Sequence, residues 1–301
     1  MDAASYATST PLDLQRYEAD FTVISFYKLF GFPTGVGALV IRKDAIGCLQ
    51  KHYFGGGTVD AISWDTPWKV LRSSAPQVFE DGTLPFLEIM AIDHGFDYIE
   101  SVGGWEYVQS HVFALSQQVR EEMSSMMIKG NQGSDIPLCE IYGTPGQCGP
   151  IVAFNLYRFD GTFIGSNHVA RLASLHNIHL RVGCFCNPGA CAAALGWTTH
   201  DIQRHHKTFH HSCGDELDLI EGRPIGAVRI SFGLSNTTED VRLWIQFLKT
   251  FFQTSSTVPR SITDNAVHAS LVDIVVVFFG NSLIRSSLSN RVVVITWLHG
   301  L

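Results

Sequence analysis

Short β-branched or apolar segments alternate with patterns of helical spacing, and this alternation constrains the fold more than any other feature of the chain. "FTVISF" (21–26), "VGALVIR" (36–42), "PIVAFNLY" (150–157), "HLRVGCF" (179–185) and "GAVRISF" (226–232) read as strands, the first two joined through the turn "GFPTG". Between and after them lie helical patterns. One covers 85–98, and a longer one covers 105–127, where Val108, Val112, Leu115, Val119 and Met123 recur at 3–4 spacing. Further helices are predicted over 166–176, 189–195, 199–211 and 236–252. The last opens on Asn236-Thr237-Thr238-Glu239, which resembles a capping box, and gathers Val241, Trp244, Ile245 and Leu248 on one face. The pattern predicts an α/β or α+β architecture, a small sheet with helices packed on it.

At 301 residues and 46% hydrophobic content the chain is long enough for two modest globular domains. Its charge of −7, from 28 acidic and 21 basic side chains without long blocks, argues against a nucleic-acid or membrane-surface partner. The opening "MDAASYATSTPLDLQRYEADF" has no basic stretch followed by an apolar one, so it is not a secretory signal, and a cytoplasmic location is expected. The seven cysteines then read as free thiols rather than a disulfide framework. Past Phe252 the character changes. A polar, linker-like stretch leads to apolar runs without periodicity, and the longest, "IVVVFF" (274–279), is far too short to span a bilayer. Such β-rich, weakly charged segments are sticky when exposed.

Two places carry chemistry. Lys28 sits among aromatic and apolar residues in "ISFYKLFGFPTGVG", on a predicted loop. Desolvation there lowers an amine's pKa and leaves the neutral form that adds to an aldehyde, while the plainer reading is a lysine that snorkels from an edge strand. No Gly-Lys-Ser/Thr closes the stretch, so it is not a P-loop. The second place is "CFCNPGAC", with Cys184, Cys186 and Cys191 in eight residues. If the segment is extended, Cys184 and Cys186 face one way and Phe185 the other. Asn187 and Pro188 then look like the N-cap and first residue of a helix. Cys186 lies just ahead of that helix, where the dipole and nearby Arg181 favour a thiolate, the form a nucleophile needs. Cys191 falls in the first turns, as a packed or secondary residue. A zinc site could instead draw on these cysteines with His200, His205, His206, His210, His211 or Cys213, although Cys-x-Cys-x4-Cys is not a common knuckle spacing.

Several ordered motifs together resemble one family. "SFYKLFGFPTGVGALVIRKD", "YFGGGTVD", "FEDGTLPFLEI", "RVGCFCNPGAC" and "VRISFGLSNTTEDV" are similar to the class V aminotransferase-type domain of the eukaryotic molybdenum cofactor sulfurases, relatives of the pyridoxal-phosphate cysteine desulfurases. The resemblance runs from the N-terminus to about Phe252. It implies a fold-type I PLP-transferase-like α/β chain with an incomplete large domain (1–82), a small α+β domain carrying the cysteine loop (83–252), and an unmatched, poorly ordered tail (253–301). By the same resemblance Lys28 holds pyridoxal 5'-phosphate covalently and Ser25 contacts its phosphate. Tyr27 stands where bacterial desulfurases usually carry His. Thr83 reaches the phosphate of the neighbouring subunit in a homodimer, or is simply the N-cap of the helix that follows. Cys186 takes sulfur from L-cysteine as a persulfide, Arg229 binds the substrate carboxylate and Arg181 supports the cysteine loop. Alanine is released, and the sulfur passes to molybdenum cofactor.

The resemblance also marks departures. Lys28 has only 27 residues before it, whereas the family places much of the cofactor-binding domain upstream, and the family's C-terminal molybdenum-cofactor-binding domain is replaced by the tail. The chain therefore reads as a fragment, a splice form or an imperfect gene model of a sulfurase. By itself it is expected to bind cofactor poorly, to show no measurable desulfuration and to associate. Three readings stand: a sulfurase-type enzyme, a non-catalytic fragment or interaction module, and a zinc-binding module.

Overall fold

The computed structural model describes residues 1–131, 133–144 and 149–253 and the backbone of 291–297; the "IVVVFF" run lies outside the described residues. The described backbone divides into two compact units, 1–110 with 291–297, and 111–253.

In the first unit β1 (Phe21–Ser25) runs straight into a five-residue helix, α1 (Phe26–Phe30), and returns as β2 (Val36–Arg42). The loop predicted around Lys28 is thus helical. Gly31 ends α1 with φ 81°, a left-handed cap that only glycine adopts freely, and its N–H donates to the Tyr27 carbonyl. The hairpin β3 (Val59–Ile62) and β4 (Lys69–Leu71) follows, then α2 (Ala75–Phe79) and α3 (Phe86–Ser101). Phe26, Val36, Ala38 and Ile92 form the core here, with Phe30 and Phe96 packed edge to face at 5.0 Å. Full burial of such side chains contributes roughly 1.5–3 kcal/mol each.

The helix α4 (Gly104–Ser124) leads into the second unit, whose strands are β5 (Met127–Lys129), β6 (Asp135–Pro137), β7 (Cys139–Tyr142), β8 (Ile151–Tyr157), β9 (Phe163–Ile164), β10 (Arg181–Gly183), β11 (Leu219–Ile220), β12 (Arg223–Pro224) and β13 (Ala227–Ser231). Its helices are α5 (Ser166–Ser174), α6 (Pro188–Leu195), α7 (Thr199–Phe209) and α8 (Thr238–Leu248). The sheet has the order β10-β13-β8-β7, with β9 also on β8, and every pairing is antiparallel. Period two puts Val152, Phe154 and Leu156 of β8 on one face, where they are fully buried with Val119 and Met123 of α4 and Trp244 and Leu248 of α8. The predicted capping box sits one residue later: Thr237 is the N-cap and Asp240 closes it, while Asn236 accepts from Gly233 N–H.

A last strand, β14 (Arg291–Trp297), lies antiparallel to β2 and completes a sheet of order β1-β2-β14 in the first unit.

Candidate active site

The second unit assembles the cysteine loop. β10 pairs with β13 so that Arg181 stands directly opposite Arg229, and Gly183 opposite Ala227. At the end of this pair a Cβ on Gly226 would lie 2.7 Å from Gly183 Cα, so the backbones approach closely only because residue 226 is glycine. Gly183 takes φ 106°, and the strand ends there rather than continuing to Phe185. Phe185 (φ 55°) and Cys186 (φ 59°) then adopt consecutive left-handed conformations, each costing of order 1 kcal/mol for a residue with a Cβ. The expected extended run, with Cys184 and Cys186 on one face, is therefore replaced by a tight turn that ends in exposed Cys186.

The helix beyond is the predicted one. Asn187 caps it, its side chain accepting from Ala190 N–H at 3.1 Å, and Pro188 opens it. At its far end Arg223 donates to the Leu195 carbonyl at 2.9 Å while lying 3.8 Å over the Trp197 ring. A disulfide joins Cys184 to Cys191 across a separation of 7 residues, with Cα atoms 5.3 Å apart. The expectation of free thiols fails here because the turn and the first helical turn bring the two sulfurs together. Cys186 stays free between them.

Phe185, which the sequence marked only by its face, lies against the Arg229 guanidinium, 4.9 Å from Cζ to ring centroid. Arg229 is half-buried, and its Nε is buried with no hydrogen-bond partner. Burial lowers its pKa first and Arg181 lowers it further, while Cys186 acts in the opposite sense. Two guanidiniums facing each other across a strand pair are a repulsive arrangement that an anion relieves, and an orphaned N–H is a donor in need of an acceptor. The site thus sets a half-buried arginine with an unsatisfied N–H beside an exposed thiol.

The first unit holds the other predicted residues. Ser25 ends β1 with its hydroxyl buried and without a partner, and Lys28 follows one helical turn later. Lys28 is exposed, as is Tyr27, so the apolar enclosure expected from the sequence is not what the structure shows. Thr83 is exposed in the turn before α3. Pro85, not Thr83, occupies the N-cap position, so that alternative is corrected. Thr83 is held through its neighbour Asp81, whose Oδ1 accepts from Lys51 Nζ at 2.5 Å and from Gly55 N–H at 2.7 Å, while Lys51 also donates to the Val78 carbonyl. A Cβ on Gly55 would meet Asp81 Oδ1 at 2.6 Å, so the "FGGG" motif closes onto "FEDGT" only with glycine there. The sequence motifs named both ends of this clamp but not their contact.

The histidine-rich segment does not build a metal centre. Among the described residues no group of three His, Cys, Asp or Glu side chains could hold an ion, and two cysteines of the zinc reading are bonded to each other. His205 is buried edge-on to Trp197 at 4.4 Å, His206 contacts the His211 carbonyl, and His211 pairs with Asp215.

The family model for aminotransferase class-V matches residues 1–243. Similar proteins include the molybdenum cofactor sulfurase of Homo sapiens, 44% identical over 254 residues, which cover 82% of this chain and 28% of that protein. The molybdenum cofactor sulfurase of Oryza sativa is 43% identical over 258 residues, covering 84% of this chain and 31% of that protein. The chain thus spans about a third of the length of the curated relatives it matches. Among solved structures, the fold is similar to the apo cysteine desulfurase of Thermococcus onnurineus (TM-score 0.62, 22% identity, 83% of this chain and 51% of that one). It is also similar to a cysteine desulfurase of Escherichia coli (TM-score 0.58, 19% identity, 83% and 50%).

Proposed function

The chain belongs to the class V aminotransferase family, and on that premise we propose that it forms the lysine- and cysteine-bearing part of a molybdenum cofactor sulfurase. The identity to such sulfurases supports this reading, and one observation carries it. An exposed, unpaired Cys186 is presented on a strained turn whose neighbouring ring rests on a half-buried arginine with an unsatisfied N–H. The net reaction is L-cysteine plus the Cys186 thiol giving L-alanine plus a Cys186 persulfide. The substrate's C–S bond breaks, an S–S bond forms, and hydrogen is transferred to the carbon that lost sulfur. The persulfide's outer sulfur then replaces an oxygen ligand of molybdenum cofactor, the oxygen leaving as water while two equivalents of an external thiol supply the two electrons and return Cys186 to its thiol.

Pyridoxal phosphate is the cofactor of this reading, and the residues present fit it. Ser25's orphaned buried hydroxyl suits a phosphate oxygen, the Lys28 amine on the next turn is free to bond covalently, and Thr83 offers a second hydroxyl from an exposed turn. When bound, the cofactor supplies an electron sink for charge at the substrate carbon. Lys28 would hold it, and its amine would carry a proton to or from that carbon. Arg229 takes the substrate carboxylate through its planar donors, Arg181 shares that charge, and Cys186 attacks the substrate sulfur. Exposed Phe86, Leu87 and Met90 beside Thr83 support a homodimer that brings Thr83 to a neighbouring subunit. The location proposed is the cytoplasm.

Residues 1–301 by themselves are proposed to turn over little, because they span only about a third of the length of the sulfurases they match. The test feeds L-cysteine with sulfur label to a polypeptide of full sulfurase length containing these residues. Label on the Cys186 peptide together with alanine release is expected, and both vanish in Cys186→Ser while cofactor absorbance stays. Label on Cys184 or Cys191 instead, or alanine release undiminished in Cys186→Ser, overturns the reading.

A further inference from the structure

The strand β8 carries a polar residue that the fold buries and that the proposed reaction leaves without a part. Asn155 alternates away from the core side chains Val152, Phe154 and Leu156, onto the face that carries Ala153, yet it is only 1% exposed. Register sets Arg229 on one side of Ala153 and Tyr142 on the other, so both share the face of Asn155.

At Asn155 the edge of β8 changes partner. Up to Phe154 the strand pairs with β13, and from Leu156 it pairs with β9. The chain just before β13 has therefore left the ladder, and the Gly226 carbonyl needs a donor from elsewhere. Asn155 Nδ2 donates to that carbonyl at 3.0 Å and to the Tyr142 hydroxyl at 2.9 Å. The opposite flip of the amide would set two oxygens against each other, so the carbonyl fixes its orientation. Burial first, with Glu140 acting in the same sense against the Asn155 bond, holds the Tyr142 hydroxyl up at about 12, so it stays a neutral acceptor.

On its far side Gly226 abuts Gly183. Gly183 is the last residue of β10 and the start of the turn that presents Cys186. The same Gly226 leads into the strand that carries Arg229. The Cys184–Cys191 link closes the turn on itself but does not set its place relative to the arginine.

We infer that Asn155 is a positioning residue: by holding Gly226 it fixes the end of β10, and with it the Cys186 turn, at a set place relative to Arg229, while Tyr142 steadies its amide. That role in catalysis rests on the sulfur transfer proposed above, whereas the hold on Gly226 does not.

The ladder fixes which amides respond. Phe232 N–H donates to the Pro150 carbonyl at 3.1 Å, toward β8. Alternation then turns the Ile230 amide toward β8 and the Ala227 amide toward β10, so Ala227 and Gly183 form a hydrogen-bonded pair at the end of the β10–β13 ladder. Asn155→Asp keeps the shape of the side chain but sets an oxygen where Gly226 needs a donor. Hydrogen exchange on the 301-residue chain should show protection at Gly183 and Ala227 falling by about tenfold or more, with Ile230 and the remote Leu138 amide, which donates to the Met126 carbonyl, unchanged. A merely structural role would lower all four together. Asn155→Ser is one bond too short to reach Gly226 and carries no opposed carboxylate, so it gives the same selective loss where Asn155→Asp does not fold. Tyr142→Phe keeps the Gly226 bond and should stay within about threefold of the parent.

In a polypeptide of full sulfurase length, Asn155→Asp should lower kcat for alanine release from L-cysteine by about tenfold or more and change KM by less than about threefold, because Arg229 keeps its strand while the thiol turn is displaced. Protection at Gly183 and Ala227 that is unchanged in both Asn155 variants, or lost in step with Leu138, overturns the inference, as does an unchanged kcat despite that selective loss. A parent protein that neither releases alanine nor takes sulfur label on Cys186 overturns the proposed reaction instead, and exchange then decides the hold on Gly226 by itself.

Discussion

Removing the Asp81 carboxylate should open the clamp that holds the "FGGG" motif to the Thr83 turn, and its size follows from burial. Lys51 is nearly enclosed, its side chain 6% exposed against 28% for Asp81, and the carboxylate receives both Lys51 Nζ and Gly55 N–H. Asp81→Ala leaves an enclosed ammonium with only the Val78 carbonyl, and leaves the Gly55 amide without its acceptor. Breaking a buried pair from one side costs about 3–5 kcal/mol, and the partial exposure of Asp81 places this case near 3 kcal/mol. Asp81→Asn keeps an acceptor for Gly55 but loses the charge, so about half that loss is expected. Lys51→Met removes the buried charge itself and should cost less than Asp81→Ala, and adding it to Asp81→Ala should restore part of the loss. The assay is local opening of the first unit by hydrogen exchange at Gly55 and Gly82, whose N–H donates to the Gly56 carbonyl, with denaturant unfolding alongside. An Asp81→Ala protein within about 0.5 kcal/mol of the parent, with Gly55 exchange unchanged, would refute the clamp.

Other expectations follow from the same structure. Cys184→Ser should destabilise the cysteine loop by roughly 2.5 kcal/mol, the entropy of freeing a loop of about eight residues, yet leave some persulfide formation on Cys186, measured by denaturant unfolding of the second unit and by sulfur labelling. Cys139 is buried and its thiol is pushed up to about 12, so at pH 8 iodoacetamide should label Cys48, Cys186 and Cys213 while Cys139 stays unmodified until the protein unfolds; this is read by peptide mass. Burial first, and Arg204 next, hold the His205 pKa below its ordinary value against the weaker pull of Asp201 and Glu221. The folded state therefore prefers the neutral ring: its stability contribution is complete above the unfolded pKa of about 6.5 and is lost as pH falls through the lower folded pKa. Thermal unfolding from pH 7.5 down to 5 should show that loss, and His205→Phe should flatten it.

Where one face of a strand is buried and the other carries polar groups, its sequence announces it. β8 and β13 were legible as "PIVAFNLY" and "GAVRISF" because their side chains obey period two, and α8 because Val241, Trp244, Ile245 and Leu248 obey the helical period. The segment 179–185 was legible only in its middle, where Arg181–Gly183 is a strand. Its apolar residues satisfied the strand pattern, but Gly183 turns the backbone away, and neither Phe185 nor Cys186 belongs to the residue types that signal a left-handed turn. Lys28 failed for a related reason. Aromatic neighbours in sequence do not enclose an amine when a five-residue helix turns Phe26 inward and Lys28 outward. The disulfide was illegible in principle, because the pairing of neighbouring cysteines depends on the turn that brings them together.

The left-handed pair is what ties the thiol to the arginine. In an extended strand Phe185 would share the face of Arg181 and Arg229 but stand four residues along from Arg181, and Cys186 would point to the opposite face. Two successive left-handed residues fold the chain back at the strand end, so the Phe185 ring comes to rest on the Arg229 guanidinium while Cys186 is left in solvent ahead of the Asn187 cap. The conformation costs about 2 kcal/mol for the two residues. Three local interactions oppose that cost: the cation–π contact, the Asn187 cap bond, and the Cys184–Cys191 link, which restricts the unfolded loop more than the folded one. Each is worth about 0.5 to 2.5 kcal/mol, so together they are large enough to hold a turn that neither Phe nor Cys prefers. A thiol built into such a turn is accessible and set near the arginine, the placement that the proposed sulfur transfer calls for.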